Sequence, residues 1–336
     1  MKKREPDFQN LLAVLQKKKP QRDTLFEFFL NDRLYDRLTE GCDLVEDELY
    51  PVRKLVKAFE MAGYDYCTLH SSDFGFEQQR SNHGKASLSI NEGAGVVDRE
   101  SFAAYHWNNP DDYDYSRLER LTLPEGMKLI VYGPGGVMEN VIAIIGYENL
   151  CYMLADDPGL VQMVFDGVGS RLVRYYELSV PYASVGAVIS NDDWGFQAQP
   201  LLSISDMEKY VYPWHRKIVE VIHRAGKPAI LHSCGNSEKT IDAIIDDIGY
   251  DAKHSYEDNI KPVEEEYEAL RGRIAILGGI DVNFLCTRTP EEIYLRSKEM
   301  LERTRERGGY ALGSGNSIPY YVPDESYFAM IRAALE

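Results

Sequence analysis

The chain has 336 residues, of which 44% are hydrophobic, and this length suits a single large α/β barrel domain with a sizeable core. Its formal net charge of −17 disfavours nucleic acid as a partner, because a polyanion would be repelled and no basic patch could release its counterions. Its five scattered cysteines lack disulfide-framework spacing and no run approaches the roughly 18 apolar residues of a membrane span, so we expect a cytoplasmic protein that does not bind membranes.

Short β-rich runs alternate with helical patterns along the chain, which predicts parallel strands joined by crossover helices. Residues 1–20 predict a short amphipathic helix rather than a signal peptide. Eight strands are predicted, at residues 24–30, 64–70, 128–132, 186–191, 228–233, 251–256, 274–279 and 310–314. The clearest helices are predicted at residues 51–61, 157–176, 205–223, 236–248, 290–305 and 324–335. Because eight strands close a TIM barrel, we predict an α/β fold with a single (β/α)8 barrel over residues 1–336.

Residues 74–124 interrupt this alternation with about fifty residues that are rich in Gly, Ser, Asn, Asp and Tyr. We predict that they form an insertion over the C-terminal mouth of the barrel. Long irregular loops in barrels are often functional, so a substrate lid and a surface loop packed by its own aromatic side chains are both open. Tyr105, Tyr113 and Tyr115 suit either role.

Polar side chains are concentrated where the predicted strands end, and in a TIM barrel the active site lies at these ends. Asp192 and Asp193 are candidate catalytic groups, because two adjacent acids beside Trp194 suit an acid or a substrate-binding role, with an N-cap as the alternative. Other strand ends supply residues that we expect to bind substrate: Glu27, His70, Asp281, Ser314 and Asn316.

His232 and Cys234 are the sharpest candidates for metal ligands, because residues two apart in an extended chain point to the same side. Imidazole and thiolate are ligands that Zn²⁺ prefers, and Gly235 permits a tight turn after them. We expect the third ligand to be Glu257 at the end of the next predicted strand, although a solvated or substrate-binding carboxylate is the alternative and His254 competes. The remaining cysteines are expected in the core: Cys42, Cys67, Cys151 and Cys286.

Several motifs resemble the uroporphyrinogen decarboxylase superfamily. They are residues 191–203 (NDDWGFQAQPLLS), 231–236 (LHSCGN), 278–282 (GGIDV) with 289–292 (TPEE), and 145–158 (IGYENLCYMLADDP). The resemblance extends from about residue 125 to the C-terminus. It implies one of two chemistries, since one branch decarboxylates uroporphyrinogen without a cofactor and the other comprises zinc methyltransferases that work with methylcorrinoid proteins.

The resemblance favours the methyltransferase branch. His232 and Cys234 match its H-x-C motif, and Glu257 is similar to the Glu that cobalamin-independent methionine synthase carries after the following strand. The arginine-rich segment of the decarboxylases is replaced here by residues 25–30 (LFEFFL), a poor cradle for a polycarboxylate. Ser314 stands where the methyltransferases have a zinc-binding cysteine, which implies a site with one thiolate and carboxylates rather than two thiolates.

Our hypothesis is therefore a zinc-dependent methyltransferase that moves a methyl group from a methoxylated aromatic to a partner corrinoid protein. The zinc ion would polarise the ether oxygen, and Asp192 or Asp193 would orient or protonate the leaving phenolate. A cofactor-free decarboxylase and a non-catalytic ligand-binding barrel remain alternatives. The fourth zinc ligand is also open, between Ser314, water and a residue of the insertion.

Overall fold

The structure, a computed structural model, describes residues 4–77 and 95–336. These residues form an α/β fold around a curled sheet of seven parallel strands that follow one another in chain order. The strands are β1 (Tyr66–His70), β2 (Lys128–Tyr132), β3 (Val185–Asn191), β4 (Ala229–His232), β5 (Ala252–His254), β6 (Ala275–Leu277) and β7 (Tyr310–Ala311).

Helices connect and cover the strands of this sheet. They are α1 (Phe8–Leu15), α2 (Asp32–Thr39), α3 (Tyr50–Ala62), α4 (Arg99–Ala104), α5 (Arg117–Arg120), α6 (Val137–Ile145), α7 (Tyr147–Asp156), α8 (Pro158–Ser179), α9 (Ile204–Asp206), α10 (Tyr212–Arg224), α11 (Val263–Leu270), α12 (Val282–Thr287), α13 (Pro290–Thr304) and α14 (Asp324–Leu335). Among the described residues, no helix is both long and apolar enough to cross a membrane.

The register of the sheet brings the last residues of neighbouring strands to one edge. His70 pairs with Tyr132, Asn191 pairs with His232, and His232 pairs with His254. The interior strands consist mainly of buried apolar residues, as expected for a parallel sheet covered by helices. Side chains at this edge, and on the turns that follow it, therefore converge on a shared region.

Seven of the eight predicted strands are confirmed, and the predicted first strand differs. In residues 24–30 the structure has only an isolated parallel bridge, between Leu25 and Leu312, supported by a hydrogen bond from the Phe26 N–H to the Leu312 carbonyl. The segment reaches β1 through side chains, because the Tyr66 hydroxyl bonds both the N–H and the carbonyl of Glu27. The closed eight-stranded barrel stays a prediction.

Two predicted helices differ from the observed ones. The helix predicted at 205–223 is divided, because a π-helical turn at Met207–Val211 separates α9 from α10. The helix predicted at 236–248 is wrong in its first half, and its regular part is a π-helix at Ala243–Ile248. Residues 236–240 instead form a turn, in which the Asn236 N–H donates to the carbonyl of Phe196 in a neighbouring turn.

The terminal helix and the insertion are described in part. Within residues 1–20, α1 is present and is capped by Asp7, whereas residues 1–3 lie outside the described part. Within residues 74–124 the structure has α4, a 3-10 turn at Pro110–Asp112 and α5, and residues 78–94 lie outside the description. The lid role of the insertion stays a prediction.

The cysteines differ in burial. Cys67 is fully buried, as expected, but Cys42 and Cys286 are only partly buried and Cys151 is exposed. On α7 only Leu150 and Met153 are buried, so Cys151 lies on the solvent side of that helix. The expectation that all four lie in the core is therefore wrong for Cys151.

Candidate metal centre

Three side chains at the carboxyl edge of the sheet form a potential metal site. The ligand atoms of Asp193, His232 and Cys234 all lie within 4.8 Å of one another, and the Cys234 sulfur lies 3.7 Å from His232 Nε2. Atoms bound to one Zn²⁺ at about 2.0–2.3 Å in tetrahedral geometry stand about 3.5 Å apart. Carboxylate, imidazole and thiolate are all ligands that zinc accepts, so these residues fit the ion with little rearrangement.

Two turns pack against each other to build this cluster. Gly235 has a φ of +87°, and a Cβ there would lie 2.1 Å from the carbonyl oxygen of Gly195. Only glycine permits this close approach. The Cys234 N–H donates to Asp193 Oδ1 at 2.8 Å, so the turn after β4 holds the turn after β3 beside the thiol.

A hydrogen-bonded chain fixes the tautomer of His232. His254 Nε2 lies 3.3 Å from the carbonyl oxygen of Ser314, and His254 Nδ1 lies 2.8 Å from His232 Nδ1. A carbonyl only accepts, so we infer that neutral His254 carries its proton on Nε2 and accepts one from His232 Nδ1. The lone pair of His232 is then on Nε2, which faces Cys234, so His232 is ready to bind a metal and His254 orients it.

Burial keeps both imidazoles neutral. It lowers the pKa of His232 to about 4 and that of His254 well below the ordinary range. Burial also raises the pKa of the Cys234 thiol to about 12, with a further contribution from the neighbouring Asp193. A metal cation bound between these side chains would favour the thiolate form of Cys234. The positive charge of zinc would therefore offset the effect of burial on the thiol.

Asp192 lies behind the cluster rather than within it. Its carboxylate is fully buried and accepts four hydrogen bonds of 2.8–3.0 Å. The donors are the Met138 and Glu139 N–H groups at the start of α6, Trp194 Nε1 and His215 Nε2. These contacts anchor the turn that carries Asp193, and the predicted catalytic role of Asp192 stays a prediction.

Glu139 is a carboxyl group that the sequence analysis missed. Burial, then the nearby carboxylates of Asp192 and Asp193, raise its pKa to about 8, so it carries a proton at neutral pH. It accepts a hydrogen bond from the Gly136 N–H in a capping box at the start of α6. A Glu at the third position of a helix that follows Gly-Gly is the sequence signal for such a box. This signal does not indicate that Glu139 lies near Asp192 and Asp193.

Glu257 lies beside the cluster and is not one of its three members. It lines a cavity of about 850 Å³ together with Cys234, Asp281 and Asn316. Asp281 caps α12 through the Phe284 N–H and also accepts from the Asp258 N–H, so both of its oxygens are engaged. The structure thus brings Asp193 within reach of His232 and Cys234, and places Glu257 in the lining of a cavity that Cys234 also lines.

Ser314 and Glu27 face each other in the interior. Glu27 Oε1 accepts from the Ser314 N–H at 2.6 Å and Oε2 lies 2.8 Å from the Ser314 hydroxyl, and both residues are fully buried. Burial raises the pKa of Glu27 to about 8. The Ser314 hydroxyl is therefore engaged by Glu27, whereas Asn316 Nδ2 donates to the Cys234 sulfur at 3.3 Å.

Aromatic rings adjoin the imidazole of His232. The ring of Phe28 lies 4.7 Å from it and 4.9 Å from the ring of Tyr132, which in turn lies 4.0 Å from the ring of His70. Burial lowers the pKa of His70 to about 4, so this ring is neutral. Phe28 was not predicted as a site residue, because an aromatic residue in an apolar run is usually core.

Comparison with known proteins identifies relatives in one protein family. The family described as uroporphyrinogen decarboxylase (URO-D) matches residues 121–336. Two curated relatives, uroporphyrinogen decarboxylases of Anaeromyxobacter dehalogenans (strain 2CP-C) and Anaeromyxobacter sp. (strain Fw109-5), are each 25% identical over 189 residues. The match covers 56% of this chain and 51% of each relative, so the chain spans about half the length of the curated relatives it matches.

A solved structure extends the likeness over nearly the whole chain. A methyltransferase from Methanosarcina mazei superposes with a TM-score of 0.65, covers 97% of both chains and is 14% identical in sequence. At this identity the likeness shows the shared fold. The superfamily resemblance predicted from residues 191–203, 231–236 and 278–282 is confirmed by the family match.

Proposed function

The chain belongs to the uroporphyrinogen decarboxylase family, and from that premise we propose that it is a zinc-dependent methyltransferase. It would move a methyl group from a methoxylated aromatic to a partner corrinoid protein. The observation that carries the proposal is the cluster of Asp193, His232 and Cys234, with His232 Nε2 free to bind metal. The likeness in fold to a methyltransferase supports the same class of reaction.

His232 and Cys234 would hold the zinc ion, with Asp193 as the third ligand and Glu257 as the alternative from the sequence. Bound zinc would act as a Lewis acid that polarises the ether oxygen of the substrate. With one thiolate and a carboxylate, this donor set suits electrophilic activation better than the binding of a second thiol. Asp281 and Asn316, which line the adjoining cavity, would contact the substrate with Glu257.

The aromatic side chains support an aromatic substrate. Phe28 adjoins His232, Tyr132 packs against Phe28 and His70 packs against Tyr132, and rings of this kind can stack on another ring. When the methyl–oxygen bond breaks, the oxygen keeps the bonding electron pair and must gain a proton. Glu139, which carries a proton and lies near Asp192 and Asp193, would supply it, and Asp192 anchors the turn that carries the zinc ligand Asp193.

The proposal extends to the fold and the setting of the reaction. The single (β/α)8 barrel over residues 1–336 would be closed by residues 24–30 between β7 and β1, and the bridge at Leu25 supports this arrangement. The five free cysteines support a reducing compartment such as the cytoplasm. The corrinoid protein would dock over the carboxyl edge of the sheet, where the cluster lies.

Methyl transfer can be tested with the zinc-loaded protein, a reduced corrinoid protein and a panel of methoxybenzoates. We expect phenol formation for at least one substrate, and a loss of at least about 100-fold in rate for Cys234→Ala. Cys151→Ala, which changes an exposed cysteine on α7, is the matched control and should keep the wild-type rate. Phenol formation that is unchanged in Cys234→Ala would contradict the zinc mechanism.

A second candidate is a cofactor-free decarboxylase, favoured by the names of the curated relatives. The surroundings of Glu27 oppose it, because this buried acid lies between apolar residues where a polycarboxylate would need arginines. Release of CO₂ from uroporphyrinogen by the wild type and Cys234→Ala alike would support the decarboxylase instead.

A further inference from the structure

The sulfur of Cys234 accepts hydrogen bonds from two side chains that belong to neither the cluster nor β4. The Ser255 hydroxyl donates to it at 3.4 Å and Asn316 Nδ2 donates at 3.3 Å. Ser255 follows β5 and Asn316 follows β7, so two separate strand ends supply one donor each. Both distances are ordinary for a sulfur acceptor.

Ser255 is held in an unfavourable backbone conformation to make its contact. Its φ is +84°, a region that favours glycine and costs other residues on the order of 1–3 kcal/mol. Such conformations persist only when the surroundings fix them, and they cluster at functional sites. The strain is therefore the first sign that the position of this hydroxyl matters.

Lys253 and Tyr256 fix the backbone on both sides of Ser255. The Lys253 ammonium is almost fully buried and donates to the carbonyls of Ser255 at 2.7 Å and Ser233 at 3.3 Å. The Tyr256 N–H donates to the carbonyl of Gly315 at 2.9 Å, and its ring lies 4.4 Å from the ammonium. The buried Lys253 ammonium, by binding both carbonyls, links the turn after β5 to the turn that carries Cys234.

Asn316 is brought to the sulfur by a similar close approach. A Cβ at Gly315 would lie 2.1 Å from the carbonyl oxygen of Tyr256, so only glycine lets the turn after β7 meet the turn after β5. The Gly315 N–H donates to the Ile280 carbonyl at 2.7 Å, which fixes the turn from the other side. Both donors are thus held by backbone contacts before any ligand binds.

We propose that Ser255 and Asn316 are positioning residues that keep Cys234 a metal ligand and prevent it from accepting a methyl group itself. The inference rests on the proposed function, in which an electrophilic methyl group is brought next to a zinc-bound thiolate. Two donors on the sulfur withdraw charge from the lone pairs that would attack that methyl group. Without them, sulfur would form a bond to the methyl carbon while the leaving oxygen departs with its electron pair, and the ligand would become a thioether.

The test measures methylation of Cys234 in the zinc-loaded protein by methyl iodide, with mass spectrometry of the peptide that contains it. In this probe reaction the sulfur–carbon bond forms as iodide leaves with its electron pair. Ser255→Gly removes the hydroxyl and suits the positive φ, so the variant should fold at least as well as wild type. Asn316→Ala removes the second donor by an independent change.

We expect each variant to raise the rate of Cys234 methylation about tenfold or more, because a hydrogen bond to a charged acceptor is worth at least that factor. Lys17→Gly is the matched control, since Lys17 also has a positive φ, of 59°, but lies outside the site, and it should leave the rate unchanged. Equal rates in zinc-loaded wild type and both variants would overturn the inference alone. A wild type that binds no zinc would overturn the proposed function and the inference with it.

Discussion

The hydrogen bond between His232 Nδ1 and His254 prepares the opposite nitrogen of the ring, Nε2, for metal binding. The 2.8 Å contact with His254, itself bound to the Ser314 carbonyl, fixes which nitrogen carries the proton. An imidazole that is free to change tautomer would offer a lone pair at Nε2 only part of the time. A buried partner that fixes the tautomer therefore raises metal affinity without touching the metal.

Glu27 predicts a pH-dependent contribution to stability. Its pKa in the folded protein is raised to about 8, above the ordinary value of 4.5, so folding favours the protonated form. The stabilisation is fully present below about pH 4.5 and is lost as the pH rises towards 8. We expect wild type to lose up to about 4 kcal/mol relative to Glu27→Gln between pH 5 and pH 8.5.

Urea denaturation of both proteins at the two pH values, with EDTA present, measures this difference. Glutamine imitates the protonated acid, because its amide can donate to the Ser314 hydroxyl while its oxygen accepts from the Ser314 N–H. A difference in the free energy of unfolding that stays constant with pH would mean that Glu27 is ionised in the folded protein.

The candidate site could be predicted from sequence only in part. His232 and Cys234 were found because their spacing on a strand makes them converge and their chemistry is specific. Asp193 was found as an acid but not as their neighbour, since its proximity depends on the contact between Gly195 and Gly235. Glu257 was predicted because it follows the next strand. A position at a strand end indicates which end of the sheet a side chain lies at, but not how far it lies from His232 and Cys234.

At the scale of elements, the start of α6 supports the turn that carries Asp193. Two N–H groups of the helix start bind the Asp192 carboxylate, and helix N-termini favour negative charge. The contact requires glycine at the N-cap, because a Cβ at Gly136 would lie 2.1 Å from the Asp192 Cβ. Asp192 cannot move aside at low cost, since its Oδ2 also accepts hydrogen bonds from Trp194 Nε1 and His215 Nε2.

We therefore expect Gly136→Ala to lower the free energy of unfolding by about 1–3 kcal/mol through overpacking. Gly75→Ala is the matched control, because a Cβ at Gly75 would meet nothing within 4 Å, and it should change the free energy by less than about 0.5 kcal/mol. Chemical denaturation of the three proteins measures both values. Equal stabilities would show that the Asp192 turn does not depend on this packing.

Elements were predictable where a local pattern determines them. The strands β1 to β7 follow from apolar runs, and α13 follows from Thr289, Pro290 and Glu292, whose capping box is present. The helix predicted from residue 236 is wrong in its first half, where the Asn236 N–H bonds the carbonyl of Phe196, forty residues earlier in the chain, a contact that no local pattern indicates. The π-helical turn at Met207–Val211 could not be predicted either, because the apolar pattern of this segment fits an uninterrupted helix.

At the scale of the whole molecule, the parallel order of seven strands brings the chemistry to one edge of the sheet. This order could be predicted, because alternating strands and helices give parallel neighbours in sequence order. The predicted closure of the sheet by an eighth strand stays a prediction, since residues 24–30 meet β7 through the bridge between Leu25 and Leu312 and meet β1 through side chains. An apolar run indicates burial but does not show how many backbone pairs a strand makes.

The central claim is that Cys234 and its neighbours bind zinc, and metal analysis tests it most directly. The measurement is the zinc content per chain of wild type, Cys234→Ala and the control Cys151→Ala, each purified without chelator. The account predicts close to one zinc per chain in wild type and in Cys151→Ala, and little or none in Cys234→Ala. Absence of zinc from all three proteins, or equal zinc in Cys234→Ala, would contradict it.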